Sequence, residues 1–350
     1  MSQYNIIAST TESTVVAEYT PGTRRSDSYQ SEAQLEKEFI RLLCEVGYTY
    51  LPIHTEADLV ANLRTQLEKL NNYQFTDGEW ERFFQQSIAN ANEGIKEKTR
   101  RIQDGDTAQA FKRDTGESKN IRLLDKKCIH NNTLQVINQY TVSQAEGAAH
   151  DNRYDVTILV NGLPLVHVEL KRRGVAIREA FNQINRYKRD SFWAGSGLFD
   201  YVQIFVISNG TNTKYYSNTT RLGHIKDFNA AAVRKRGRTS NSFEFTSFWA
   251  DAKTFFAKAT ILNILTRYCV FTSEDLLLVM RPYQIVATER ILNRIEIATN
   301  YKWYGTVQGG GYIFHTTGSG KTLTSFKTAQ LVADLPHISK VLFVVDRKDL

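Results

Sequence analysis

Most of the side chains that could do chemistry in this 350-residue sequence fall in two short stretches. The first runs from Asp155 to Lys171. It reads as two apolar strands joined by a turn near Asn161-Gly162-Leu163. Asp155 opens the first strand, and Glu169 and Lys171 close the second. Mg²⁺ takes hard oxygen ligands and commonly one or two carboxylates. An acid on each strand, Asp155 and Glu169, therefore suits a shared Mg²⁺ and metal-dependent cleavage of a phosphodiester. Lys171 beside such an ion can orient the attacking water or offset charge on phosphorus. The second stretch, Thr317-Gly318-Ser319-Gly320-Lys321-Thr322, reads as a nucleotide phosphate loop. Its backbone N–H groups would cradle the phosphates at a helix N-terminus. Lys321 would reach the β and γ phosphates of ATP, and Thr322 would hold Mg²⁺. The strict pattern asks for Gly at position 315, where this chain has His315.

Both sites depend on the elements around them. Alternation puts Val166, Val168 and Leu170 on one face of the second strand and His167, Glu169 and Lys171 on the other. For Asp155 to sit across from Glu169 the turn must centre on Gly162. This predicts an odd-numbered loop or a bulge near Asn161-Gly162-Leu163. A plain two-residue Asn-Gly turn, the usual reading of that pair, would offset the register by one residue and turn the acids apart. A helix over about 175–190 follows, carrying Gln183 and Tyr187 on one face, four residues apart. They could contact the strand backbone or DNA near the metal. Upstream, a helix over 31–46 has Ser31 as N-cap with Gln34 three residues on. Its apolar stripe is Leu35, Phe39, Leu42, Leu43 and Val46, and Glu36 lies at the stripe's edge. From there Glu36 either reaches the same metal or stays an ordinary surface acid.

The rest reads more simply. A charged, Gln-rich helical stretch spans about 56–98. Strands are expected at 121–124, at 134–142 and at 201–208, and a helix at about 251–269. Pro282 suits the first turn of another helix. Gly311 to His315 reads as a short buried strand before the phosphate loop. A helix from Leu323 follows, with Phe326, Ala329 and Ala333 on one face, and then a parallel strand over 341–345. Arg234, Lys235, Arg236 and Arg238 form a basic cluster that is either a DNA-facing loop or a solvated insertion.

Composition sets outer bounds. Hydrophobic residues at 41% and charged residues at 23% are ordinary for a soluble globular chain. The net charge of +7 favours a polyanionic partner. Three scattered cysteines, Cys44, Cys128 and Cys269, fit a reducing compartment. With no signal-like N-terminus, the expected location is the cytoplasm, and no apolar run approaches the roughly 18 residues of a membrane span.

The order Glu36, Asp155, Glu169-Leu170-Lys171, then Gln183 to Tyr187 resembles the PD-(D/E)xK nucleases of the RecB-like branch, which add a QxxxY motif. Tyr154 stands where the family name has Pro. Arg281-Pro282-Tyr283-Gln284 resembles the adenine-reading motif of superfamily 2 helicases, and 340–347 resembles the motif that touches the DNA backbone. The acidic Walker B box of that group is expected beyond Leu350. Together these stretches resemble the restriction (R, HsdR) subunit of type I restriction–modification enzymes, most closely the type IC branch. The resemblance implies an α/β chain. Its PD-(D/E)xK endonuclease domain would span 1–270, and the N-terminal part of a RecA-like motor domain, cut off before Walker B, would span 271–350. It implies Mg²⁺ and ATP as cofactors and double-stranded DNA as substrate. It also implies partnership with methylation and specificity subunits, S-adenosylmethionine entering only through the methylation subunit. The catalytic residues would be Asp155, Glu169, Lys171, Gln183, Tyr187 and Glu36. The nucleotide would be held by Arg281, Gln284, Thr317, Gly318, Ser319, Gly320, Lys321 and Thr322. Two other readings share these features: a stand-alone DNA repair helicase–nuclease, and a non-catalytic DNA-binding fragment.

Overall fold

The computed structural model describes residues 4–9, 14–19, 31–210, 213–220, 243–245, 254–316 and 319–344. The basic cluster around Arg234 lies outside them, as do Thr317, Gly318 and the end of the expected strand at Val345. In chain order the strands are β1 (Tyr4–Ser9), β2 (Thr14–Tyr19), β3 (Thr49–Tyr50), β4 (Ala108–Lys112), β5 (Ser118–Arg122), β6 (Leu134–Val142), β7 (Asn152–Val160), β8 (Leu163–Leu170), β9 (Ile204–Ser208), β10 (Thr213–Ser217), β11 (Phe243–Phe245), β12 (Cys269–Phe271) and β13 (Leu277–Val279). The helices are α1 (Glu32–Glu45), α2 (Glu56–Asn71), α3 (Asp77–Phe83), α4 (Ile95–Gln103), α5 (Ile177–Asp190), α6 (Lys258–Arg267), α7 (Pro282–Asn300) and α8 (Lys321–Ala333).

A seven-stranded mixed sheet in the order β11-β10-β9-β8-β7-β6-β3 forms the centre. β3 runs parallel to β6 and β8 parallel to β9, while the other pairs are antiparallel. Every residue of β8 and of β9 is buried, as expected of central strands covered on both faces. α1 packs on β3 and β8, and α5 on β8 and β9. α1 begins as its sequence demands: the Ser31 hydroxyl accepts from Gln34 N, and Ser31 N donates to the Gln34 side chain. The expected helical stretch over 56–98 is broken into α2, α3 and α4. Asn72 ends α2 in the left-handed conformation at φ 47°, and Thr76 caps α3. The strand expected from Tyr201 starts only at Ile204, because Leu198–Tyr201 is a short 3₁₀ turn.

Two expectations near the C-terminal end fail. Neither 311–315 nor 341–344 forms a strand. Tyr312, Phe314, Leu342 and Val344 are largely exposed. A parallel strand needs a ladder neighbour, and among the described residues none lies beside either segment. α8 does form, but it buries Thr324, Lys327, Thr328 and Val332 and leaves Phe326 exposed, the reverse of the face read from sequence. Its neighbour is α7, whose Thr288 hydroxyl meets that of Thr328 at 3.1 Å. Packing is thus set by a polar seam that apolar periodicity does not reveal.

Candidate active site

The β7–β8 hairpin resolves its own register conflict. Asn161 and Gly162 are both left-handed, at φ 51° and 83°, as a tight two-residue hairpin turn requires. Val160 faces Leu163 and Leu159 faces Pro164, but Ile158 faces Val166, so Leu165 is an extra residue. Beyond this bulge Val156 faces Val168, and the same register carried one step further brings Asp155 level with Glu169. The turn and the bulge coexist, and together they undo the offset. The turn is anchored: Asn161 Nδ2 donates to Asn132 Oδ1 at 2.7 Å and to the Leu123 carbonyl at 3.1 Å, and its Oδ1 accepts from Thr133 N at 2.8 Å. A Cβ on Gly162 would lie 2.6 Å from the Leu63 Cα of α2, so only glycine fits.

Asp155 Oδ2 accepts from Leu170 N at 2.9 Å. Lys171 Nζ donates to Glu169 Oε1 at 2.9 Å and to the Leu170 carbonyl at 3.2 Å. Burial pushes the Asp155 carboxyl up to about 7, and the neighbouring Glu169 charge adds to the rise. Burial also raises Glu169 to about 7, with the Lys171 ammonium opposing it. Burial alone would lower Lys171, but Glu169 overrides it and the ammonium is held above its ordinary value. The result is a buried acid pair with one cation beside it. Glu169 Oε2 has no hydrogen-bond partner.

Gln183 and Tyr187 are brought to this place by α5. Tyr187 OH donates to the Arg153 carbonyl on β7 at 2.9 Å, and Gln183 Nε2 donates to Tyr187 OH. The pair thus grips the strand two residues before Asp155. Glu36 is close but differently engaged: Asn138 and Gln139 of β6 both donate to its carboxylate. Gln139, left-handed at φ 52°, lies between the pairs Asn138–Val156 and Tyr140–Tyr154, level with Asp155. Glu32 of α1 also bears on Glu169 and Lys171 through its charge, and it accepts from Arg172 N at 3.1 Å. Sequence reading passed over Glu32. It sits one turn before Glu36, and helical spacing alone cannot choose between residues four apart. Strand alternation puts His167 on the same face as Glu169, and the sequence alone suggests no role for it. It is fully buried, with Nε2 3.4 Å from Glu169 Oε2.

In the second site α8 starts directly after Gly320, which is left-handed at φ 78°. Lys321 Nζ curls back to the carbonyls of His315 and Thr316 at 3.3 and 3.4 Å. Ser319 Oγ donates to the Thr316 carbonyl at 2.7 Å. Gln284 is buried: its Oε1 accepts from Arg281 N at 2.8 Å, and its Nε2 donates to the carbonyls of Ser319 at 3.1 Å and Gly320 at 3.3 Å. Tyr283 OH donates to the same Ser319 carbonyl at 2.8 Å, and Arg281 reaches Tyr283 OH at 3.3 Å. Thr322 is exposed at the start of α8. The residues after Arg281 therefore brace Ser319 and Gly320 just ahead of α8.

The comparisons with known proteins cover both sites. Residues 29–224 match the family model of the type I restriction enzyme R protein N terminus, and residues 277–350 match that of the type III restriction enzyme res subunit. The EcoprrI type I restriction enzyme endonuclease subunit of Escherichia coli is 47% identical over 303 residues, which is 83% of this chain and 90% of that protein. A type I restriction enzyme endonuclease subunit of Staphylococcus saprophyticus is 39% identical over 328 residues, or 92% of this chain and 32% of its own length. One from Staphylococcus aureus is 38% identical over 331 residues, again 92% of this chain and 32% of its own length. The chain thus spans about one third of the staphylococcal relatives. The first family model covers the acid pair and its supports, the second covers the stretch from Thr317 to Thr322, and the chain belongs to the family of type I restriction enzyme R proteins, the endonuclease subunits.

Proposed function

We propose that the β7–β8 hairpin is the Mg²⁺-dependent site of double-strand DNA cleavage in an endonuclease of PD-(D/E)xK fold. In the full-length protein an ATP-driven DNA translocase, opening near Arg281, would work with it. The reading rests on one observation: the Leu165 bulge restores the register that brings Asp155 beside Glu169, with Lys171 on the same carboxylate. The donor set fits Mg²⁺. No group of three or more His, Cys, Asp or Glu able to hold a metal occurs among the described residues, but Mg²⁺ keeps most of its waters and asks for one or two carboxylates. Glu169 Oε2 is buried and unpartnered, and two acids with raised pKa values are what a divalent cation would stabilise in ionised form. Asp155 and Glu169 would hold it. When bound, the ion supplies polarisation of the phosphoryl group and a more acidic water.

The chain's own residues do the rest. Lys171, kept cationic by Glu169, offsets charge that builds on the phosphate. Gln183 and Tyr187 fix the β7 backbone that carries Asp155. Gly320, Lys321 and Thr322, with Thr317, Gly318 and Ser319, would receive the nucleotide phosphates, Thr322 on their Mg²⁺. Gln284 and Arg281 would shape the loop and the base site. We place the division between the two units after Met280 rather than at 270/271, which falls inside β12. The β12–β13 hairpin is tied to the sheet by Tyr215 OH on the Met280 carbonyl at 3.0 Å and by Leu277 N on Thr219 Oγ1 at 2.8 Å. Methylation and specificity subunits would be the partners, with S-adenosylmethionine bound only by the methylation subunit. No described helix is long and apolar enough to cross a membrane. In the full-length protein, Asp155→Ala, Glu169→Ala and Lys171→Ala should each abolish cleavage and leave ATP-driven translocation intact. Cleavage at the wild-type rate in any of the three would overturn the assignment.

A further inference from the structure

We propose that His167 is a positioning residue whose Nε2–H holds the second oxygen of Glu169, so that this carboxylate presents itself to a divalent cation in one orientation. The inference rests on the reading of Asp155 and Glu169 as metal ligands. His167 and Lys171 flank Glu169 at two residues on either side, and strand alternation brings all three to one face. Lys171 takes Oε1 at 2.9 Å, while His167 Nε2 lies 3.4 Å from Oε2. Neither Nε2 nor Oε2 has a hydrogen-bond partner, and both residues are 0% exposed. Buried polar atoms are seldom left unpaired, and a small turn of the Glu169 carboxylate pairs these two.

One tautomer fits this contact. His167 Nδ1 lies 3.2 Å from the Thr157 hydroxyl, itself buried. A hydroxyl that donates to Nδ1 leaves the single imidazole proton on Nε2, facing Glu169. The surroundings give a second argument. Tyr154, Tyr187, Phe192 and Phe205 close round the ring at centroid distances of 5.7, 6.1, 5.9 and 6.3 Å. A phenyl ring would fill that box as well and leave the buried Thr157 hydroxyl unpaired, so aromatic packing alone does not account for the imidazole. The box also links Glu169 to α5 through Tyr187, the same side chain that grips β7.

The test is Mn²⁺ and Mg²⁺ binding by calorimetry to the 350-residue chain, with melting temperature measured alongside. His167→Phe should stay folded, with a melting temperature lowered by no more than the loss of the Thr157 hydrogen bond, yet bind the ion about 10–100-fold more weakly, the usual effect of losing an outer-shell partner. His167→Gln, whose Nε2 can stand in for the ring N–H, should recover most of that loss. Wild-type affinity in His167→Phe would overturn the proposal. Should His167→Phe not fold, His167→Gln is compared with His167→Leu, and equal affinities would overturn it. Asp155→Ala is the control for the underlying reading: undiminished binding by that variant, or no binding by the wild type, would remove the metal site itself and the tether with it.

Discussion

Asp155 and Glu169 are acids held where ionising both is unfavourable, and this has a pH signature. Both carboxyls are raised to about 7, against roughly 4 in an unfolded chain. The folded state therefore keeps protons that the unfolded state releases. The stability this pair contributes is fully present below pH of about 4 and is lost as pH rises through about 7. A divalent cation, which requires the ionised pair, acts in the opposite sense. Mg²⁺ should raise the melting temperature little at about pH 5 and progressively more towards pH 8, and the increment should vanish in Glu169→Gln. An equal increment at both pH values would contradict the assignment. Tyr187 gives a second residue-level expectation. Tyr187→Phe deletes the hydroxyl on the Arg153 carbonyl, a loss of about 1 kcal/mol for a typical hydrogen bond. Cutting by the full-length protein should fall strongly while the fold persists; unchanged cutting with an unchanged melting profile would return Tyr187 to plain core packing.

At the scale of elements, the hairpin shows what a sequence exposes and what it conceals. The two strands, the Asn-Gly turn and the need for a register correction are all legible from Asp155 to Lys171. The position of the correction is not. Leu163 to Val166 is apolar throughout and buried on both faces, so no polar–apolar alternation marks Leu165 as the extra residue. Glu32 and Glu36 are ambiguous for a related reason, since both follow from one helix and the choice depends on how α1 meets β6 and β8. The turn's environment was also out of reach, because the contact of Gly162 with Leu63 joins residues 99 positions apart. That contact makes the turn testable. Gly162→Ala would impose a left-handed alanine, at about 1–2 kcal/mol, and drive its Cβ to 2.6 Å from the Leu63 Cα. We expect a loss of more than about 2 kcal/mol in chemical denaturation, with cleavage falling as α2 and the hairpin separate. A variant as stable as the wild type would show that α2 yields easily and that the turn does not fix the register.

Over the whole molecule, the buried core runs past Met280 into the first half of α7. The core is continuous from Leu35 through the sheet to Ile285. The first half of α7 belongs to it: Gln284, Ile285, Ala287, Thr288, Glu289 and Leu292 are buried, and Tyr268 OH donates to Glu289. Past Asn300 the character changes. Tyr301, Tyr304, Val307, Tyr312 and Phe314 are exposed, and so are Leu342 and Val344 beyond α8. Apolar runs there are as legible as those of β8, but a strand exists only when another lies alongside, and the pairing partners are not written in the run itself. α8 is held chiefly through α7 and the bracing of Ser319 and Gly320 by Tyr283 and Gln284. Segments with few buried apolar contacts open first. Limited proteolysis should therefore cut between about residues 301 and 316 before any site in the sheet, leaving a resistant core that ends near Asn300 and still binds Mn²⁺ through Asp155 and Glu169. Saturating ATP with Mg²⁺ should slow that first cut if Lys321 and Thr322 receive the phosphates, and Lys321→Ala should remove the protection. A first cut inside β6 to β9, or resistance that extends past Ala333 without nucleotide, would show that the phosphate-loop segment is packed into the body of the molecule more firmly than its exposed side chains indicate.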